Sequence, residues 1–331
     1  MARDSAALLT MPRTLLIDTD TASDDAVALI MALRSAEVRV AAITVVAGNV
    51  PVARATSNAL FTVELCDADV PVYSGAEAPL LRKLETADWF HGADGLGDHG
   101  YKPTKLRAAN GHAVDALIQT VRDNPGIEIV TLGPLTNVAM ALLREPKLAA
   151  GVNRCVVMGG APCCAGNVTP AAEFNIWVDP EAARIVFQSG LPLVMVGWQL
   201  CCGDAVLNQA DVDRVLALKN AVAEFAIRCN STAAQAFFKQ TGQRGISLPD
   251  PVAMGIALKA ALCTSSSKHY VEIEVGSELT RGMTVVDRLD VATDPRNKNV
   301  WAAAIERNRK VEVCWSLDVS KWKELLFSSL A

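Results

Sequence analysis

The sequence predicts an α/β protein: an open, mostly parallel sheet with helices on both faces, Rossmann-like, with a small antiparallel addition near the C-terminus. Three observations carry this. Short β-branched runs alternate with longer amphipathic ones through the first two-thirds of the chain. The strand-like runs are almost continuously apolar, as strands buried on both faces must be. Several of them end in polar or glycine-rich residues ("DTD", "AGN", "LGP", "MGG", "GWQ"), as the strand ends of an open α/β sheet do where ligands collect.

The first strand is "RTLLI", followed by "VRVAAITVVAG", "VPVYSG", "IEIVTLG", "RCVVMGG" and "LPLVMVG". Between them, apolar residues at helical spacing predict helices over residues 25–33, 52–66, 112–122, 135–143 and 180–188. From 209 to 239 the pattern is helical, and "DPVAMGIALKAAL" reads as one further helix. In the tail, "HYVEIEV", "GMTVVD" and "KVEVCWSLD" read as short antiparallel strands, with Trp322 and Leu325 on a closing helix. Neither a Pro/Gly/Ser-rich linker nor an internal repeat interrupts the chain. One domain over residues 1–331 is the simplest organisation, with 1–12 as a disordered N-terminal extension.

Composition excludes several functions. Of 331 residues, 51% are hydrophobic and 20% charged, the balance of an ordered globular chain. A formal charge of −5 and the lack of a basic stripe argue against nucleic acid as a partner. Nine cysteines without a C-x-x-C pair, and only four histidines, argue against a zinc or iron–sulfur framework. An odd number of cysteines suits free thiols in a reducing compartment. With no apolar run long enough for a membrane span and no signal peptide, the expectation is a cytoplasmic protein without a membrane partner.

"DTDTASDD" places four carboxylates, Asp18, Asp20, Asp24 and Asp25, on one strand-to-helix turn. On an extended segment Asp18 and Asp20 share a face. Ser23 reads as the helix N-cap, putting Asp24 and Asp25 in the first turn, where the helix dipole favours anions. That preference accounts for Asp24 or Asp25 alone but not for Asp18 and Asp20. Two unit charges 4 Å apart repel by about 4 kcal/mol at an effective dielectric near 20, so the cluster needs protons or a cation. Oxygen ligands without His or Cys favour a hard divalent ion, calcium or magnesium.

The stretch "LLIDTDTASDDAVALIMAL" resembles the opening motif of the nucleoside hydrolases, calcium-dependent enzymes that cleave the N-glycosidic bond of ribonucleosides. "AITVVAGN", "FHGADGLG", "LGPLTNVA", "VMGGAPCCAGNVTPAAEFNIWVDPEAA", "DPVAM" and "LTRGMTVVD" follow in family order, so the likeness runs from Arg13 to about Asp287. The resemblance implies the nucleoside hydrolase fold, a Ca2+ cofactor and a homodimer or homotetramer. It implies Asp20, Asp25, Asp250 and the backbone carbonyl of Leu132 as metal ligands, with Asp20 also the catalytic base toward the metal-bound water. Asp24, Asn49, Met158, Asn167, Glu173 and Asn175 match ribose-binding positions. Asp18, Asn137 and Asp179 read as supporting or capping residues. The implied reaction is attack of water on C1′ through an oxocarbenium-like transition state, giving ribose and free base.

The chain departs from the family on the base side. Where many non-specific members carry a histidine before the metal-binding aspartate, this sequence has Pro249, which has no proton to give. Purine-preferring members also lack that histidine and are thought to hold the purine between aromatic rings. Trp89 and Trp198 are the candidates here, each with core packing as the plainer explanation. His91 matches the family's base-side histidine and His99 shares its loop. His112 reads as a helix-start residue, and Phe237 and Phe238 as amphipathic packing that can cover the base. The expected substrate is a purine ribonucleoside such as inosine or guanosine, the alternative a broad inosine–uridine range. Two rivals remain. One is a haloacid-dehalogenase-like phosphotransferase with Asp18 as nucleophile, since "LLIDTDT" satisfies D-x-D-x-T; the other is a nucleoside-binding module without chemistry.

Overall fold

The computed structural model describes residues 12–306 and 310–331. Its strands are β1 (Arg13–Thr19), β2 (Val38–Val45), β3 (Val72–Ser74), β4 (Ile127–Thr131), β5 (Val152–Met158), β6 (Leu193–Val196), β7 (Cys263–His269), β8 (Val271–Ile273), β9 (Thr284–Val286) and β10 (Val311–Leu317). Eight of them form one sheet in the order β3-β2-β1-β4-β5-β6-β10-β7. Every neighbouring pair in it is parallel except β10 with β7. β8 and β9 pair antiparallel as a separate ribbon.

The apolar runs are strands for the reason the sequence suggests, burial on both faces. Along β1, Leu15 and Ile17 enter one hydrophobic cluster and Leu16 the other, all fully buried. The first cluster joins the sheet to helices Ser23–Leu33, Pro249–Leu258 and Val319–Leu330. The second joins it to Ala113–Asp123, Thr136–Arg144 and Pro180–Phe187. From β1 the sheet grows outward through β2 to β3, and in the opposite direction through β4 to β6. The strand order therefore reverses between β1 and β4, where a crevice opens at the carboxyl ends of the strands.

Two parts of the tail differ from the sequence expectation. "KVEVCWSLD" supplies β10, which joins the main sheet rather than the separate ribbon: it pairs antiparallel with β7, as expected of this strand, but parallel with β6 on its other side. Beyond it lies β7, "CTSSSKH", which the apolar pattern did not reveal because most of its side chains are exposed. A polar edge strand has no buried face to write into the sequence. The helical region 209–239 divides into Gln209–Leu216, Ala221–Arg228 and Ser231–Thr241. The expected N-terminal extension falls almost wholly outside the described residues.

Candidate active site

β1 ends at Thr19 and helix Ser23–Leu33 begins four residues later, so the acidic turn lies at the strand-order reversal. Ala22, not Ser23, takes the N-cap position, and Asp25 Oδ2 accepts the Ala22 N–H at 2.9 Å. Asp25 also accepts from Thr19 Oγ1 at 2.6 Å and from Asn49 Nδ2 at 3.3 Å. Asp250 enters from the first turn of helix Pro249–Leu258. Among the described residues, Asp24, Asp25 and Asp250 form a group whose ligand oxygens all lie within 4.8 Å of one another.

Asp20 stands beside this trio, fully buried. Its Oδ2 accepts the Asn49 N–H at 2.6 Å, while its Oδ1 is buried without a hydrogen bond. Two glycines make room for it. A Cβ on Gly48 would lie 2.1 Å from Oδ2, and one on Gly133 2.5 Å from Oδ1. The "AGN" and "LGP" strand ends thus carry glycine because the Asp20 carboxylate fills the space.

Burial is the first cause of every carboxyl shift here. It raises Asp20 and Asp250 well above the carboxylate range, with neighbouring Asp25 adding repulsion to both. Asp25 is raised by burial and by Asp24. Burial pushes Asp24 up to about 6 and Glu173 up to about 7, although backbone N–H groups pull both down. Among the described residues no Lys or Arg pairs with Asp20, Asp24, Asp25 or Asp250, and four buried acids so placed demand protons or a metal. The orphaned oxygens of Asp20 and Asp24, in an all-oxygen donor set, fit a hard divalent cation.

The wall of the pocket is built from strand ends and the segment after β5. Asp24, Asn49, Leu132, Met158, Asn167, Glu173, Asn175 and Asp250 all line it. Asn175 Nδ2 donates to the Leu132 carbonyl at 2.6 Å, leaving that oxygen a second lone pair. Glu173 caps helix Phe174–Val178, accepting from Asn175 N at 2.8 Å, and also accepts from Gly160 N at 2.8 Å. Asn167 Oδ1 accepts from Phe174 N at 2.9 Å.

His91, Trp89, Trp198 and Pro249 line the same pocket. Trp89 is 58% exposed at the rim, whereas Trp198 is 9% exposed and belongs equally to the core. His91 is buried, its Nδ1 2.9 Å from Ser23 Oγ and 3.7 Å from Asp24 Oδ1. Burial holds its pKa down to about 4, so its ring is neutral at physiological pH.

Other candidates lie elsewhere. His99 is exposed and bonds the Arg228 carbonyl, and the His112 ring caps helix Ala113–Asp123. Phe237 is buried and Phe238 stacks under Arg244. Asp18 is fully buried, its Oδ1 accepts from Thr44 and Asn137, and, like Asp20 and Asp25, it does not itself line the pocket. Asp179 caps helix Pro180–Phe187 and accepts from Thr136.

The model of the inosine-uridine preferring nucleoside hydrolases matches residues 15–324. The chain belongs to that family. A pyrimidine-specific ribonucleoside hydrolase RihA from Shewanella sp. strain ANA-3 is 39% identical over 298 residues, spanning 88% of this chain and 91% of the relative. Among solved structures, the plant nucleoside hydrolase PpNRh1 superposes with a TM-score of 0.89 at 33% identity, covering 97% and 99% of the two chains. A purine-preferring ribonucleoside hydrolase from Gardnerella vaginalis superposes with a TM-score of 0.85 at 27% identity, covering 96% and 98%. This family member is therefore a ribonucleoside hydrolase, with the metal-dependent chemistry of its family. All nine of its cysteines are unpaired, and no helix among the described residues is long and apolar enough to cross a membrane.

Sequence reasoning missed Phe90, Val168, Phe174, Gln240 and Ser247, which also line the pocket. The aromatic and apolar ones looked like packing. Gln240 arrives from helix Ser231–Thr241 and donates to the Asn167 carbonyl, a contact across 73 residues with no local signature.

Proposed function

We propose that this enzyme hydrolyses purine ribonucleosides with calcium as its cation, the whole chain working as one domain. The observation that carries the hydrolytic reading is the acidic cluster at the strand-order reversal: Asp24 and Asp250 line the pocket beside polar groups suited to sugar hydroxyls, and Asp20 and Asp25 are buried next to them. Asp20, Asp25, Asp250 and the Leu132 carbonyl would hold the ion. When bound, it would neutralise the cluster and make a coordinated water easier to deprotonate.

The side chains supply the rest. Asp20 takes the proton of the attacking water. Asp24, Asn49, Asn167, Glu173 and Asn175 bind ribose, and Met158 packs against it, holding C1′ in line with that water. Positive charge grows on the sugar as the C1′–N bond stretches, and the carboxylates that line the pocket stabilise it. Cytoplasmic location and a homodimer or homotetramer remain part of this reading.

Trp89 and Trp198 support a purine, whose larger π face gains more from aromatic contact. Pro249 agrees with it, because the purine-preferring members that the sequence resembles likewise lack a histidine before the metal-binding aspartate. A broad inosine–uridine range is the second reading, favoured by 39% identity to a relative named pyrimidine-specific. Steady-state assays on inosine, guanosine, adenosine, uridine and cytidine separate the two. The purine reading expects kcat/KM for inosine at least tenfold above uridine, and equal values reject it.

A further inference from the structure

We propose that Ser23 is a positioning residue for the leaving base: its hydroxyl donates to His91 Nδ1 and so fixes the ring as the tautomer that presents Nε2–H to the pocket. The proposal rests on the hydrolase reading above and assigns a task to a residue that does not itself touch the substrate. The sequence offered Ser23 only as a helix cap, a position that Ala22 fills.

A buried hydroxyl has one proton to place. Ser23 is fully buried, and among the described residues the only hydrogen-bond partner of its Oγ is His91 Nδ1, at 2.9 Å. Were Nδ1 protonated, it would donate to Oγ and the serine proton would have no acceptor, at the cost of an unsatisfied buried donor. With Nδ1 as acceptor both groups are satisfied. A neutral imidazole then carries its single N–H on Nε2. That atom has no hydrogen-bond partner within the described protein, and the ring lines the pocket.

Asp24 explains why a tautomer lock is needed. Its Oδ1 is buried without a hydrogen bond, 3.7 Å from Nδ1. Unopposed, this carboxylate would draw the ring proton to Nδ1 and leave Nε2 as an acceptor facing the base. Ser23 competes at closer range. Both partners are braced from outside the turn: the Ser23 carbonyl accepts from Cys229 Sγ at 3.5 Å and Asn230 Nδ2 at 3.4 Å, and the His91 carbonyl accepts from Gly97 N at 2.9 Å. Pro249 leaves the pocket without a donor beside Asp250, so the His91 N–H supplies what that position lacks.

The step balances without proton loss from His91. Water oxygen bonds to C1′ and passes a proton to Asp20. The C1′–N bond breaks with its electron pair going to the base, whose ring acceptor is hydrogen-bonded by His91 Nε2–H. The base leaves and takes a proton from solvent, and Asp20 returns its own to solvent.

The test compares inosine with 4-nitrophenyl β-D-ribofuranoside, whose leaving group departs without a donor. In Ser23→Ala the ratio of kcat/KM for inosine to that for the nitrophenyl riboside falls about tenfold, the order expected for loss of one hydrogen bond to the leaving base. It falls at least as far in His91→Ala, and the double variant adds nothing further. Ser23→Thr, which keeps the hydroxyl, restores the ratio. A Ser23→Ala ratio like that of the wild type, or an equal loss on both substrates, overturns the proposal while leaving the hydrolase reading intact. Wild-type enzyme that cleaves neither substrate removes both. Independently of any variant, ¹⁵N spectra of the histidine-labelled protein, with four rings to assign, show Nδ1 of His91 unprotonated; a proton found on Nδ1 contradicts the assignment.

Discussion

Replacing Gly48 by alanine tests whether the position of the Asp20 carboxylate governs turnover. The new Cβ would lie 2.1 Å from Asp20 Oδ2, 2.9 Å from its Cγ and 2.7 Å from Pro134 Cδ. Contacts of a Cβ essentially never fall below 3.0 Å, so a carboxylate that yields must retreat by at least about 0.9 Å. Its retreat also strains the 2.6 Å hydrogen bond from Asn49 N. A misplacement of about 1 Å at a reacting group costs on the order of 10²-fold in rate. The same crowding costs about 1–3 kcal/mol of stability, too little to unfold a domain of this size. The assay is inosine hydrolysis at saturating substrate, read as reducing sugar, beside a thermal melt of the same preparation. The expected result is a folded protein with a somewhat lower Tm and kcat reduced about 100-fold. Gly133→Ala, whose Cβ meets Oδ1 at 2.5 Å, should behave alike. A folded Gly48→Ala enzyme with kcat within threefold of wild type would show that the exact position of the Asp20 carboxylate does not govern turnover.

Two further outcomes follow from the same geometry. Burial raises Asp18 and Glu173 to about 7 and Asp24 to about 6 in the fold. The native state then binds protons more tightly than the unfolded chain, and stability is lost as pH rises from about 4 through about 7. In chelator, Tm should fall between pH 5 and pH 8, and calcium should restore more of it at pH 8; a flat, calcium-insensitive Tm contradicts this. Trp322 is fully buried, and its Nε1 donates to the Pro251 carbonyl at 2.9 Å, one residue from Asp250. Trp322→Ala should destabilise by about 3–5 kcal/mol and weaken calcium binding in titration calorimetry; unchanged calcium affinity would uncouple that helix from the cation.

The parallel sheet was legible because strands buried on both faces have little choice but Val, Ile, Leu and Ala. Polar strand ends such as "DTD" and "LGP" interrupt them where the crevice forms. β7 was not legible, because a solvent-facing edge strand bears no apolar pattern. β10 was read as an antiparallel strand, as it is toward β7, but its parallel pairing with β6 was not legible, since β6 lies more than a hundred residues away in sequence. In the site, Asp24, Asp25, Asp250, Glu173 and Asn175 stood out as motif residues, and the fold gathers them at one crevice. Ser23 was misjudged because its hydroxyl partner, His91, is 68 residues distant and leaves no local trace. Local rules find caps. They do not find a side chain recruited across the molecule.

If the buried aspartates work through one divalent cation, chelating the enzyme and titrating calcium back while inosine hydrolysis is followed will show it. Turnover is lost in chelator and restored in proportion to calcium bound, saturating at one ion per chain, with Asp250→Ala not restored at any concentration. Turnover unchanged in chelator, or full activity in Asp250→Ala, would contradict it.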